Sequence, residues 1–177
     1  MWWIIVATSL VAAVFDIRQR RIPNFLTLPV LVAGLAWNGY RGGLDALGWA
    51  LWVAIVLALP YLVLFAAGMG GAGDAKLMGA LGAWLGAPYG FYLLGGVAAS
   101  GAVLGLAYAL LRRRAAQTWR NLAGMTMFLP WIALGPGSLR ERASVLPTAQ
   151  VMTRMPYAVA VFVGSCVTAG GVWLWNI

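Results

Sequence analysis

Residues 77–111 read LMGALGAWLGAPYGFYLLGGVAASGAVLGLAYALL, thirty-five positions in succession without a charge. A helix that crosses a bilayer needs about 20 apolar residues, roughly 17–25. The run is therefore too long for one crossing. Gly86-Ala87-Pro88-Tyr89-Gly90 breaks it, because glycine and proline punctuate helices. Two spans result, near Ala75–Ala87 and Phe91–Leu111. Working outward, the apolar stretches Met1–Phe15, Phe25–Tyr40 (after Pro23-Asn24), Leu44–Ala67 and Pro156–Trp175 supply four more. The predicted fold is all-α, a polytopic membrane protein of six transmembrane helices.

Composition agrees. Of 177 residues, 63% are hydrophobic and 9% charged, against roughly 45–50% and about 25% in soluble domains. Sixteen formal charges cannot clothe a soluble surface of this size, so lipid is the solvent. Nothing marks off a soluble module, and residues 1–177 read as a single integral-membrane domain. Met1–Phe15 lacks the basic start of a secretory signal. Its positive charges, Arg18, Arg20 and Arg21, follow it instead, as in a retained first span whose C-terminal end faces the cytoplasm.

With the N-terminus outside, the cytoplasmic segments are 16–24, 68–76 and a long loop, 112–155. Eleven of the twelve basic residues fall in or beside them, and only Arg41 lies outside. That asymmetry follows the positive-inside rule and supports both span count and orientation. Leu122–Leu134 is apolar but short and carries Pro130. As a seventh span it would put Arg140, Arg142 and Arg154 outside, so it reads as a re-entrant or interfacial segment. The ten tryptophans suit membrane interfaces better than a cofactor site.

A net charge of +8 and a pI near 10.6 do not imply nucleic acid here. The cations sit between spans, where topology and anionic lipid headgroups account for them. A single cysteine, Cys166, excludes an internal disulfide, and the absence of histidine removes the common zinc sites and His-dependent triads. No metal and no cofactor is expected. Hydrolytic chemistry is left to carboxylates, lysine or serine.

Four acids exist: Asp16, Asp45, Asp74 and Glu141. Glu141 lies between Arg140 and Arg142, where an exposed ion pair suffices. Asp45 starts the third span on the outer side and reads as its cap. Asp16 ends the first span, and ionisable residues at that depth are costly unless useful. Asp74, after Gly70-Gly71-Ala72-Gly73, reads in isolation as a helix N-cap. The topology puts both at the cytoplasmic edge, which makes them the catalytic candidates. Two facing carboxylates cannot both ionise cheaply, so one keeps its proton. The ionised member takes a proton from water as it attacks a peptide carbonyl, and the other protonates the carbonyl oxygen. Gly71 and Gly73 permit close backbone approach. Lys76 reads as a snorkelling boundary residue, and Pro23-Asn24 ends the first loop.

Asp16-Ile17-Arg18-Gln19-Arg20-Arg21-Ile22-Pro23-Asn24 resembles the first conserved block of the type IV prepilin peptidases. Gly71-Ala72-Gly73-Asp74-Ala75-Lys76-Leu77 resembles their second, the GxGD motif shared with presenilin-type proteases. Met155-Pro156-Tyr157-Ala158-Val159-Ala160 looks like the opening of the last helix in the short members that serve Flp (Tad) pili. The resemblance implies an aspartic endopeptidase of the bacterial inner membrane, cutting prepilin leaders on the cytoplasmic side with Asp16 and Asp74. Its partner would be a prepilin, a basic leader followed by a hydrophobic helix. The basic loops make direct charge steering of such a leader unfavourable, and anionic lipid is a surface that both could share. Larger members carry a cytoplasmic domain with two Cys-x-x-Cys pairs linked to methylation. The first loop here has nine residues and no cysteine, so no methyltransferase activity is expected. Two other readings are a non-enzymatic transport or pilus-assembly subunit and a GxGD protease for another substrate, such as a preflagellin. A transporter usually shows broken or polar helices at the midplane, whereas these charges cluster at one edge. The sequence does not speak to oligomeric state.

Overall fold

The computed structural model describes residues 1–66, 71–111 and 157–175. Its helices are α1 (Trp2–Gln19), α2 (Asn24–Ala66), α3 (Ala72–Leu85), α4 (Tyr89–Leu111) and α5 (Tyr157–Trp175), and there is no strand among the described residues. The whole 112–155 loop, including Leu122–Leu134 and Glu141, lies outside them, as does Pro156.

By length and composition α1, α2, α4 and α5 are each able to cross a membrane. α2 holds two of the expected spans in one run of 43 residues. Unbroken, it would extend about 64 Å, twice the hydrocarbon thickness. It breaks at Gly42 (φ −134°, ψ 15°) and Gly43 (φ 68°, ψ −158°), the second a conformation open only to glycine. Residues 24–41 and 44–66 are thus two arms, and they fold back on each other: a Cβ on Gly39 would lie 3.7 Å from Leu47.

Several expected boundaries move. α1 runs on past the apolar stretch Met1–Phe15 to Gln19, so Asp16 lies inside the helix. A helical backbone satisfies its own hydrogen bonds, so charged residues can continue it past the apolar stretch. α3 starts at Ala72, three residues before the expected span, and Gly71 is its N-cap. Asp74 therefore stands in the first turn and is not the cap. α2 and α4 start at Asn24 and Tyr89 instead of Phe25 and Phe91.

α3 is the buried centre. Ala75 and every residue from Leu77 to Leu85 are enclosed, as expected of a helix that is apolar all round. Its 14 residues reach about 21 Å. It lies against the α2 hairpin, where a Cβ on Gly82 would meet Val53 O and Ala54 Cα at 3.2 Å; small residues let membrane helices approach this closely. Trp84 Nε1 donates to Val30 O at 2.7 Å, and Asn38 Nδ2 donates to Ala83 O at 2.8 Å. α1 and α4 pack chiefly on α5 instead. At one end of the molecule aromatic rings gather: Trp2 against Tyr89, Trp37 against Trp84, Trp49 against Trp52. Asp16 and Asp74 lie at the other.

Candidate active site

α1 closes one turn after Asp16. Arg20 adopts the left-handed conformation (φ 51°, ψ 34°) and its N–H donates to Asp16 O at 2.9 Å. A non-glycine residue there costs roughly 1–2 kcal/mol, and it turns the chain sharply. Only residues 20–23 separate α1 from α2. Pro23, just ahead of α2, accepts the N–H groups of Leu26 and Thr27; proline suits this place because it has no N–H of its own to leave unpaired. Phe15 and Phe25 meet edge to face at 5.7 Å, tying the two helix ends together.

The short link lies on the start of α3. A Cβ on Gly73 would stand 3.0 Å from Ile22 Cβ, so this glycine gives the link room. Lys76 Nζ donates to Asn24 Oδ1 at 2.9 Å, a second tie between the link's end and α3. This bond is exposed, and neutral acceptors contribute about 0.5–1.5 kcal/mol at most. Asn24→Ala should lower the thermal midpoint in detergent by a few degrees and leave substantial activity. Complete loss of activity with an unchanged midpoint would show that this tie positions the chemistry instead.

Asp74 occupies the first turn of α3, where the helix dipole favours a negative charge. Its N–H donates to Gly71 O at 3.2 Å. Its side chain folds back over Gly71, whose Cβ, if present, would lie 3.4 Å from Asp74 Oδ2. Asp16 Oδ2 accepts the N–H of Ala158 at 3.1 Å. That donor belongs to the first turn of α5, one of the N–H groups a helix cannot pair internally. Both carboxylates are partly buried, and Ile22 against Gly73, with Lys76 bonded to Asn24, holds the link that follows Asp16 on the start of α3 that carries Asp74.

Two groups join them that the sequence did not single out as site residues. Tyr61, near the end of α2, and Tyr157, at the start of α5, bring their hydroxyls to 3.4 Å and their rings to 5.5 Å, edge to face. A hydroxyl at carboxylate depth in an apolar span was the available signal. For the Ala158 N–H there was none, since backbone groups leave no mark in a sequence.

Four elements therefore converge: the end of α1, the end of α2, and the starts of α3 and α5. They offer two carboxylates and a hydroxyl pair, groups suited to moving protons. Of the other expected residues, Gly71 and Gly73 flank Asp74 at the start of α3, and Pro23 and Asn24 lie where the link enters α2, with Lys76 bonded to Asn24. Asp45 is exposed, just past the Gly42–Gly43 break at the opposite end.

The model of the type IV leader peptidase family matches residues 3–110, a range that holds both Asp16 and Asp74. The chain is 36% identical over 138 residues to the prepilin leader peptidase/N-methyltransferase of Escherichia coli (strain K12), covering 71% of this chain and 56% of that protein. It is 39% identical over 95 residues to the protein of the same description from Aeromonas hydrophila, covering 48% and 30%. The matched regions thus span about half, or less, of these curated relatives. No solved structure matches.

Proposed function

Since this chain belongs to the type IV leader peptidase family, we propose that it is an aspartic endopeptidase that removes the leader of prepilins, with Asp16 and Asp74 as its two acids. The observation that carries this reading is the meeting of the end of α1, which carries Asp16, with the start of α3, which carries Asp74, through Ile22 against Gly73 and Lys76 on Asn24. One carboxylate takes a proton from water, and the resulting hydroxide forms a bond to the scissile carbonyl carbon. The other, protonated, gives its proton to the carbonyl oxygen. Collapse of the tetrahedral intermediate breaks the C–N bond, and the amine leaves with a proton returned from the pair.

The protein spans the bacterial inner membrane as one domain, residues 1–177, in six segments: α1, the two arms of α2, α3, α4 and α5. The N-terminus lies outside, the carboxylate end faces the cytoplasm, and 112–155 is a cytoplasmic loop. The charges support this orientation, since Arg18, Arg20, Arg21 and Lys76 share the end of Asp16 and Asp74. The third sequence match favours a short prepilin of the Flp type as substrate. Co-expression with such a prepilin, followed by a gel shift and N-terminal sequencing, tests the reading. A shortened prepilin with a new N-terminus is expected; an intact one overturns it.

Methyl transfer is not part of this reading, because the link between α1 and α2 is four residues long and has no cysteine. Purified protein given cleaved pilin and labelled S-adenosylmethionine should transfer no methyl group above background. Stoichiometric labelling of the pilin N-terminus would refute this.

A further inference from the structure

The two acids belong to different packing groups of the fold. Asp74 stands on α3, and α3 lies against the α2 hairpin. Asp16 stands on α1, which packs chiefly on α5, as does α4. A hydrogen bond strengthens that attachment, since Asp16 Oδ2 accepts the Ala158 N–H of α5 at 3.1 Å. Whatever sets α5 against α2 therefore sets Asp16 against Asp74.

Near the carboxylates two features join these groups. One is covalent, the link 20–23, with Ile22 against Gly73. The other is the contact of Tyr61, buried on the second arm of α2, with Tyr157. Tyr157 precedes Ala158, so it shares a helical turn with the donor to Asp16. It touches both α4 and α2. On the α4 side, a Cβ on Gly101 would lie 3.3 Å from Tyr157 Oη and 3.5 Å from its Cε2; the glycine makes room for the ring. On the α2 side, the rings of Tyr157 and Tyr61 meet edge to face at 5.5 Å and 63°. Their hydroxyls are 3.4 Å apart, longer than the about 2.5–3.0 Å of a good O–H···O bond. The ring contact is thus the larger part of the tie, and such pairs are worth more than their burial alone.

We propose that Tyr61 and Tyr157 are positioning residues whose contact fixes the reach between Asp16 and Asp74. This rests on the reading of the two acids as a peptidase pair. Catalysis by positioned groups is steep in distance, and a misplacement of about 1 Å costs up to roughly 100-fold. Loosening the contact lowers kcat because the acids are less often in register, and it leaves KM nearly unchanged.

The test uses the full chain in lipid nanodiscs. Tyr61→Leu keeps an apolar side chain and removes the ring, so kcat for prepilin, per folded molecule, should fall about tenfold with KM nearly kept. Tyr61→Phe keeps the ring and should restore kcat to within about twofold. A raised KM with normal kcat in Tyr61→Leu overturns the positioning role in favour of substrate contact, and a normal kcat overturns it outright.

A distance measurement follows the tie itself. Cys166→Ala removes the one cysteine, and spin labels go on Ile17→Cys of α1 and Leu62→Cys of α2, 61% and 49% exposed in the parent chain. Tyr61→Leu should displace or broaden the interspin distance distribution, and Tyr61→Phe should leave it as in the parent. An unchanged distribution in Tyr61→Leu overturns the tie. Gly101→Val reaches the same contact from α4, because its methyl groups crowd the Tyr157 ring. It should change kcat and the distribution in the same sense, and it decides the matter if Tyr61→Leu fails to fold. Absence of cleavage by the unmodified chain overturns the peptidase reading, whereas the distance measurement needs no cleavage and judges the tie separately.

Discussion

Asp16→Asn and Asp74→Asn should each abolish leader removal, lowering kcat/KM by about 10²–10⁴-fold, the range that a positioned acid or base supplies, while the protein stays folded in the membrane. Asparagine is nearly isosteric with aspartate and keeps a side-chain oxygen that can accept a hydrogen bond. Asp16→Asn therefore retains an acceptor for the Ala158 N–H, so the start of α5 stays seated and only the proton chemistry is lost. Asp16→Ala removes both, and should add a stability loss of about 0.5–2 kcal/mol, the usual scale for a lost helix cap. Because the carboxylates act as one unit, the double Asn variant should be no worse than either single one. Asp45→Asn, at the far end of α2, should process prepilin at the normal rate. The measurement is processing of a prepilin by membranes carrying matched amounts of each variant. Normal cleavage by Asp16→Asn or Asp74→Asn would sink the assignment.

Gly164→Val should unseat α5 and cost both stability and activity. A Cβ at Gly164 would stand 2.6 Å from Val97 Cα, 2.7 Å from Val97 N and 2.9 Å from Gly96 C. All three are backbone atoms of α4, so no side chain can rotate away to make room. Separating the helices is the remaining escape. Overpacking of this kind costs about 1–3 kcal/mol, and valine's branch adds to it. α5 also donates the hydrogen bond to Asp16 and carries Tyr157, so its displacement disturbs the site as well as the fold. Gly170→Ala is the matched control on the same helix, since nothing lies within 4 Å of a Cβ there. Thermal unfolding in detergent should show a midpoint lower by several degrees for Gly164→Val and little change for Gly170→Ala. Prepilin processing should follow the same order. A wild-type midpoint and rate in Gly164→Val would contradict the α4–α5 contact described above.

Much of the helical order was legible in the sequence because its signals are local. Charge-free runs mark the apolar helices, and Gly86 with Pro88 marks the break between α3 and α4. Gly42-Gly43 falls where the sequence leaves a gap between the second and third spans. Asp16 and Asp74 stood out because four acids and no histidine left few rivals. Helix ends were less legible: hydrophobicity says where lipid is, whereas hydrogen bonding says where helix is, and α1 and α3 extend past their apolar stretches. Convergence was illegible altogether. That the first turn of α5 binds Asp16, and that Tyr61 meets Tyr157, depends on contacts between residues about a hundred or more positions apart. Gly73 illustrates the difference. The motif suggested openness to a substrate, while the structure gives the glycine a neighbour, Ile22, for which it makes room.

The shortness of α3 bears on how water arrives. A peptidase consumes one water molecule per cut, and hydrocarbon holds almost none. With α3 as one of the crossing segments, as proposed, its about 21 Å of helix in a layer about 30 Å thick would leave roughly 9 Å unspanned. Its buried end is anchored by Trp84, whose indole is bonded to Val30 and stacked beside Trp37, so the shortfall falls on the end that carries Asp74. In the proposed orientation the carboxylates would sit at the floor of a dent in the membrane surface, wetted from the aqueous side. Hydration would thereby be set by helix length: lengthening α3 by a turn would lift Asp74 into the headgroups, and shortening it would strand the reaction in oil.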